Sequence, residues 1–248
     1  MTVHLIPITF DQQGTRQTIV PVLLKDEHRL ILVDCGYPGF LPLLEDAARE
    51  RGLSLDDLTH VIVTHHDMDH MGALAELKRA YPSVEIIAHE LDEPHIAGRQ
   101  KSLRLEQAES LHERLPEERK PQAESFIAFL RSIEPASVDR IVADGEVLPW
   151  CGGLEIVHTP GHMPGHISIY VQSAGIMLAA DAVVIEEDGK LGIANPEFTM
   201  DRRAAAASIE RLSRYAIHQL ICYHGGLYEG DAGAGLRELL RNERGESE

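Results

Sequence analysis

The run Thr64-His65-His66-Asp67-Met68-Asp69-His70 follows directly on the apolar stretch His60-Val61-Ile62-Val63. It gathers His65, His66, Asp67, Asp69 and His70, all able to bind a metal, at the end of a predicted strand. No packed core calls for that concentration. Imidazole and carboxylate together suit Zn, Fe, Mn or Co, and short side chains leaving a strand end can converge on one point. A second cluster, Thr159-Pro160-Gly161-His162-Met163-Pro164-Gly165-His166, lies about a hundred residues on, followed by Asp181 after an apolar run and His224 before Gly225-Gly226. The parts read as one distributed dinuclear site. A helix N-cap at Asp67 or Asp69 accounts for one carboxylate, but not for two adjacent histidines and the downstream groups. His66 is read as packing or hydrogen bonding beside the loop; the alternative is that a local shift makes it a ligand in place of Asp67.

The elements that must position these groups follow from periodicity. Leu5 to Phe10, Thr18 to Leu24 and Arg29 to Val33 read as strands of a meander, the last closed by Asp34-Cys35-Gly36. Leu41 to Arg51 has helical spacing and stops at Gly52, Thr59 to Val63 is a strand, Gly72 to Ala80 a helix and Val84 to Ala88 a strand. From Glu90 to Glu134 the composition turns highly charged, and Pro94, Pro116 and Pro121 divide the segment into helix-length pieces, read as an inserted helical cap. Strands are predicted again at Arg140 to Val142, Glu146 to Leu148, Leu154 to His158, Ile167 to Val171, Ile176 to Ala180 and Leu220 to Tyr223, with a helix over Ala204 to Tyr215. The expectation is one composite α/β domain over residues 1–248, with the cap at about 90–135. Leu103, Leu111, Leu115, Phe126, Phe129 and Leu130 give the cap apolar faces; its helices are expected over the metal edge, contributing to the substrate pocket, a homodimer contact, or both, the alternative being that these faces pack on the sandwich alone.

Composition bounds the function. The chain has 248 residues, 44% hydrophobic and 25% charged, with a formal net charge of −17. That charge repels phosphate backbones and anionic lipid, so no nucleic-acid and no membrane partner is expected. The N-terminus lacks a basic region followed by a long apolar stretch, which places the protein in the cytoplasm. Cys35, Cys151 and Cys222 are scattered and are expected to be buried or incidental thiols.

The order of an apolar strand, Thr-His-x-x-x-Asp-His-x-Gly, Thr-Pro-Gly-His-x-x-Gly-His, a strand-end Asp and a late His-Gly resembles the metallo-β-lactamase-fold hydrolases over nearly the whole chain. The resemblance implies an αββα sandwich and two divalent metal ions with a bridging hydroxide. It further implies hydrolysis of an ester, lactone, thioester, amide or phosphoester of a small molecule. It assigns His65, Asp67 and His162 to one metal and Asp69, His70 and His224 to the other, with Asp181 bridging, and makes Asp69 the catalytic group that orients the nucleophile or takes its proton. His166 and Asp34 are implied to support these groups, not to bind metal.

The family's first motif is usually His-x-His-x-Asp-His, and Asp67 stands where the second His would be. With two divalent ions, three carboxylates and a hydroxide the site is formally neutral, one unit less positive than with His, so hard ions such as Fe or Mn compete with Zn. The alternative reading is a non-hydrolytic di-iron redox or sensing protein, since the family's di-iron members resemble this chain in carrying that carboxylate. Among hydrolases, only 24 residues follow His224, so the C-terminal domain of the glutathione thioesterases, and that substrate, are not expected. The lactone hydrolases place Tyr three residues after the bridging Asp, where this chain has Val184.

Overall fold

The computed structural model describes residues 1–12 and 14–245. Two six-stranded sheets stack face to face. The first runs in the order Thr2–Leu5, Val22–Lys25, Leu30–Val33, His60–Val63, Glu85–His89 and Arg140–Val142. The second runs Gly226–Leu227, Gln219–Cys222, Ile176–Ala180, Ile167–Val171, Leu154–His158 and Val147–Leu148.

Strand alternation makes the layers. Side chains two apart in a strand share a face, so Ile31, Val33, Ile62 and Ile87 point between the sheets, where they meet Ile156, Ile167, Ile169, Leu178 and Ile221. Leu32, Val61, Val63, Ile86 and Ala88 point outward against Leu44, Ala48, Leu74 and Leu77 of helices Leu41–Glu50 and Leu74–Ala80. On the far side Val157, Met177, Ala179, Leu220 and Cys222 pack on helices Arg202–Leu212 and Ala232–Glu243. The result is the expected helix–sheet–sheet–helix sandwich.

The first strands differ from the sequence reading. Pro7 and Pro21 each interrupt a predicted strand, because proline cannot donate to a ladder. Ile8–Gln12 and Thr15–Ile19 therefore peel away as a separate antiparallel hairpin. The helix Ala232–Glu243, started by Asp231 accepting from Ala234 N at 2.6 Å, was not among the predicted elements.

The charged segment forms helices Glu93–Ile96, Leu103–His112 and Lys120–Arg131. Ala108, Ile127 and Leu130 close a small core between the two longer helices, with Leu105, Phe126, Ile133 and Met68 against it. Met68 belongs to the His/Asp loop, so this core touches the loop directly. Leu111 stays 56% exposed and, with Leu115 and Phe126, lines a groove of 260 Å³. Among the described residues no helix is long and apolar enough to cross a membrane. Cys35, Cys151 and Cys222 are buried free thiols.

Candidate metal centre

In the first sheet, Leu30–Val33, His60–Val63 and Glu85–His89 run parallel, and in the second Ile176–Ala180 runs parallel to Gln219–Cys222. The carboxyl ends of these strands open on one edge, the usual ligand-binding edge of a parallel sheet. Asp34, the 64–70 loop, Asp181 and His224 leave from them, and the 159–166 loop joins from the end of Leu154–His158. Ile167 N donates to Thr64 O at 3.0 Å, fastening one loop to the other sheet. Two backbone features aim side chains here. Asp34 has φ 61° and Ala180 φ 47°. A shift in strand register between Leu178 and Ala180 turns Asp181 toward the cluster.

The candidate ligands gather in three overlapping groups: His65, Asp67 and His162; His65, His70 and Asp181; and Asp69, His70 and His224, with the ligand atoms of each within 4.8 Å of one another. All seven are buried except His224, which is partly exposed. His162 Nε2 lies 2.9 Å from Asp67 Oδ2, His70 Nε2 3.3 Å from Asp181 Oδ1, and His224 Nε2 3.3 Å from Asp69 Oδ2. Both oxygens of Asp181 face imidazoles, Oδ2 lying 3.6 Å from His162 and 3.5 Å from His224.

The surrounding polar groups leave these donors free to bind. Asp34 accepts from Thr64 N and Thr64 Oγ1, each at 2.8 Å, and sits 2.8 Å from His70 Nδ1. With the Thr64 proton committed to Asp34, its oxygen accepts from His65 Nδ1 at 3.1 Å. Each histidine is thereby held with Nε2 toward the cluster, and both Nε2 atoms are buried without a hydrogen-bond partner, as is Asp181 Oδ1. Orphaned buried polar atoms of this kind are costly in an empty protein and are satisfied by cations, so the residues present fit a metal pair. His166 supports from behind: Thr159 Oγ1 lies 2.8 Å from its Nδ1, and its Nε2 accepts from Asp181 N at 3.1 Å.

His66 points away. Its Nδ1 pairs with buried Asp92, its Nε2 accepts from Leu103 N at 3.3 Å, and its ring stacks on His95 at 4.4 Å. Asp67 therefore occupies the position in the cluster, and His66 bridges the loop to the inserted helices.

The charges are mutually dependent. Burial opposes ionising Asp67, but the hydrogen bond from His162, the nearby His65 and the charge of Arg104 hold its carboxyl well below the usual range. Burial likewise opposes charge on Asp181, and His224 and His70 outweigh it, keeping that carboxyl low. Burial pushes His65 down, reinforced by His70, whereas for His70 the carboxylates of Asp181, Asp34 and Asp69 overcome burial and push it up.

Sequence reading missed three contributors. Arg104, in the charged helix Leu103–His112, is fully buried and donates Nε to Asp67 Oδ1 at 3.0 Å and Nη2 to Asp67 Oδ2 at 2.6 Å. The formal neutrality derived from Asp67 is thus corrected: the guanidinium cancels the carboxylate and restores the unit of positive charge that a His would leave. Tyr223 packs its ring against His70, centroids 4.0 Å apart and tilted by 35°, and donates its hydroxyl to Asp69 O at 2.5 Å. Phe198 lines a cavity of 410 Å³ over the cluster, together with Tyr37, Met68, Val184, Ile185 and Asn195. For Arg104 the only signal was its spacing of four from Ala108 on the buried helix face; a charged helix otherwise reads as solvated.

Residues 15–224 match the family model described as the metallo-beta-lactamase superfamily. The chain belongs to that superfamily. Among curated members it is 27% identical over 219 residues to the probable metallo-hydrolase YflN of Bacillus subtilis, covering 82% of this chain and 78% of the relative. It is 30% identical over 185 residues to the hydroxyacylglutathione hydrolase GloC of Haemophilus influenzae, covering 74% and 72%. A metallo-beta-lactamase family protein of Thermus thermophilus, TTHA1429, superposes with a TM-score of 0.75 at 22% identity, over 98% of this chain and 79% of the other.

Proposed function

We propose that this metallo-beta-lactamase superfamily member is a dinuclear-metal-dependent hydrolase of a small-molecule ester, lactone, thioester or phosphoester. The observation that carries the reading is the set of His65 and His70 Nε2 atoms and Asp181 Oδ1, buried without hydrogen-bond partners directly behind a 410 Å³ cavity that Asp67, Asp69, His162, Asp181 and His224 line. His65, Asp67 and His162 would hold one divalent ion and Asp69, His70 and His224 the other, with Asp181 shared between them. Bound ions of this kind supply Lewis acidity and lower the pKa of water.

The chain's own groups do the rest. Asp69, whose backbone Tyr223 fixes at 2.5 Å, is placed to orient the attacking water and accept its proton. Met68, Val184, Ile185 and Phe198 supply an apolar wall that keeps bulk water from the reacting bond. The redox alternative rested on Asp67 favouring iron, and Arg104 offsets that charge. A glutathione thioester, disfavoured from sequence, is readmitted as a substrate class by the similarity to GloC.

The test is to prepare the metal-free protein, reload it with Zn, Mn or Fe, and assay S-lactoylglutathione alongside simple esters, lactones and phosphodiesters. Turnover of one class that depends on added metal is expected. No turnover in any metal form, with a visible absorption band that dithionite bleaches in the iron form, would replace hydrolysis by redox chemistry.

A further inference from the structure

Arg104 is the largest side chain that the fold buries completely. Its guanidinium meets Asp67 through both carboxylate oxygens, at 3.0 and 2.6 Å, and donates to Phe198 O at 2.8 Å and to Gln107 Oε1 at 2.5 Å. It also lies over the Phe198 ring, 4.8 Å from its centroid, and Gln107 passes the link on by donating to Glu197 O at 3.0 Å. One side chain from the inserted helices thus grips the His/Asp loop and the segment that walls the cavity.

We propose that Arg104 is a positioning residue that presents Asp67 to the metal centre through one oxygen and makes the metal affinity of that site depend on the inserted helices. The geometry leaves little else for it to do. A fork-shaped, five-donor group fixes a carboxylate in one plane. Asp67 Oδ1 is directed at Arg104 alone, while Oδ2 also faces His162 at 2.9 Å and His65 at 3.7 Å. Oδ2 is therefore the oxygen available to an ion beside those imidazoles. The pair carries no net charge, so Asp67 with Arg104 acts as a neutral ligand would, and Arg104 comes from a helix whose other supports are Ala108, Ile127, Leu130 and Met68. Loosening that helix moves the guanidinium, and with it the oxygen.

This inference rests on the metal-centre reading above, and its test separates the two. Zn binding to the whole chain is measured by competition with a chromophoric chelator, and opening of residues 97–131 by limited proteolysis. The proteins are wild type, Arg104→Lys, Arg104→Met, Asp67→His and the double variant Asp67→His/Arg104→Met. Wild type is expected to take up two Zn. Arg104→Met should weaken one of the two by about 10–100-fold, the usual effect of losing a ligand's outer partner; Asp67→His, which sets an imidazole beside the now unpaired Arg104 cation, should weaken the same one, and both should speed cleavage. Arg104→Lys keeps the charge without the fork and should fall between. The double variant, a neutral imidazole with no cation to pair, should recover at least half of the lost affinity on a logarithmic scale. Strictly additive losses in the double variant, or unchanged Zn affinity in Arg104→Lys and Arg104→Met while wild type binds two Zn, would overturn the role of Arg104 and leave the metal centre standing. Failure of wild type to bind Zn, Mn or Fe would overturn the metal centre itself and this inference with it.

Discussion

Asp34 Oδ2 lies 2.8 Å from His70 Nδ1, inside the sandwich and 36 residues away in sequence. A carboxylate behind an imidazole fixes the ring's tautomer and rotation and makes the far nitrogen a better donor. Asp34→Asn keeps the left-handed backbone that asparagine tolerates but turns an amide donor toward groups that themselves donate, Thr64 or His70 Nδ1. We expect the Zn affinity of the Asp69, His70 and His224 group to fall about 10–100-fold, with a stability loss of about 1–3 kcal/mol from the buried mismatch. Chelator competition and urea unfolding read the two effects, and unchanged affinity would mean that His70 is oriented by other contacts.

Metal stoichiometry should divide along the two outer groups. His162 and His224 approach opposite carboxylates, Asp67 and Asp69, while Asp181 faces both imidazoles through one oxygen. After dialysis, elemental analysis should find about two Zn per chain in wild type and about one in His162→Ala or His224→Ala, as a two-metal site requires. Asp181→Ala should lose most of both. Two full equivalents in either histidine variant would contradict the assignment.

In the metal-free chain, burial works against charging His224, but Asp181 and Asp69 overcome it and push its pKa up to about 10. A raised folded-state value means that the imidazolium stabilises the fold fully below the unfolded value of about 6.5, and that this contribution fades as pH rises through about 10. His70 is raised in the same direction. Chelator-treated protein should therefore lose urea resistance between about pH 7 and pH 10, and lose less in His224→Gln. Parallel loss in both proteins would remove His224 as the cause.

Gly161 has φ 139°, and a Cβ there would stand 2.3 Å from Ala205 N, at the first turn of helix Arg202–Leu212. Backbone cannot yield as a flexible side chain does. Gly161→Ala should cost on the order of 1–3 kcal/mol. Because His162 is the next residue, it should also weaken Zn binding, and calorimetric melting together with chelator competition would show both. An alanine variant as stable as wild type would mean that the loop has room to shift.

The ligand-type residues and their order were legible in the chain because metal chemistry restricts which side chains can serve, and because each motif is local. His65, Asp67, Asp69 and His70 lie within one loop, and strand alternation placed that loop at a sheet edge. The layered fold was legible for a similar reason, since a period of two or of 3.6 in apolar residues is a local property. What required the tertiary structure were the pairings across sequence: Asp34 with His70, Tyr223 with Asp69, and above all Arg104 with Asp67, 37 residues apart. Arg104 reads as a surface charge in its own helix, and only the packing of that helix against Met68 brings it into the interior. Burial makes an arginine and a carboxylate each costly alone and compatible together, and neither the burial nor the partner is written in the local sequence.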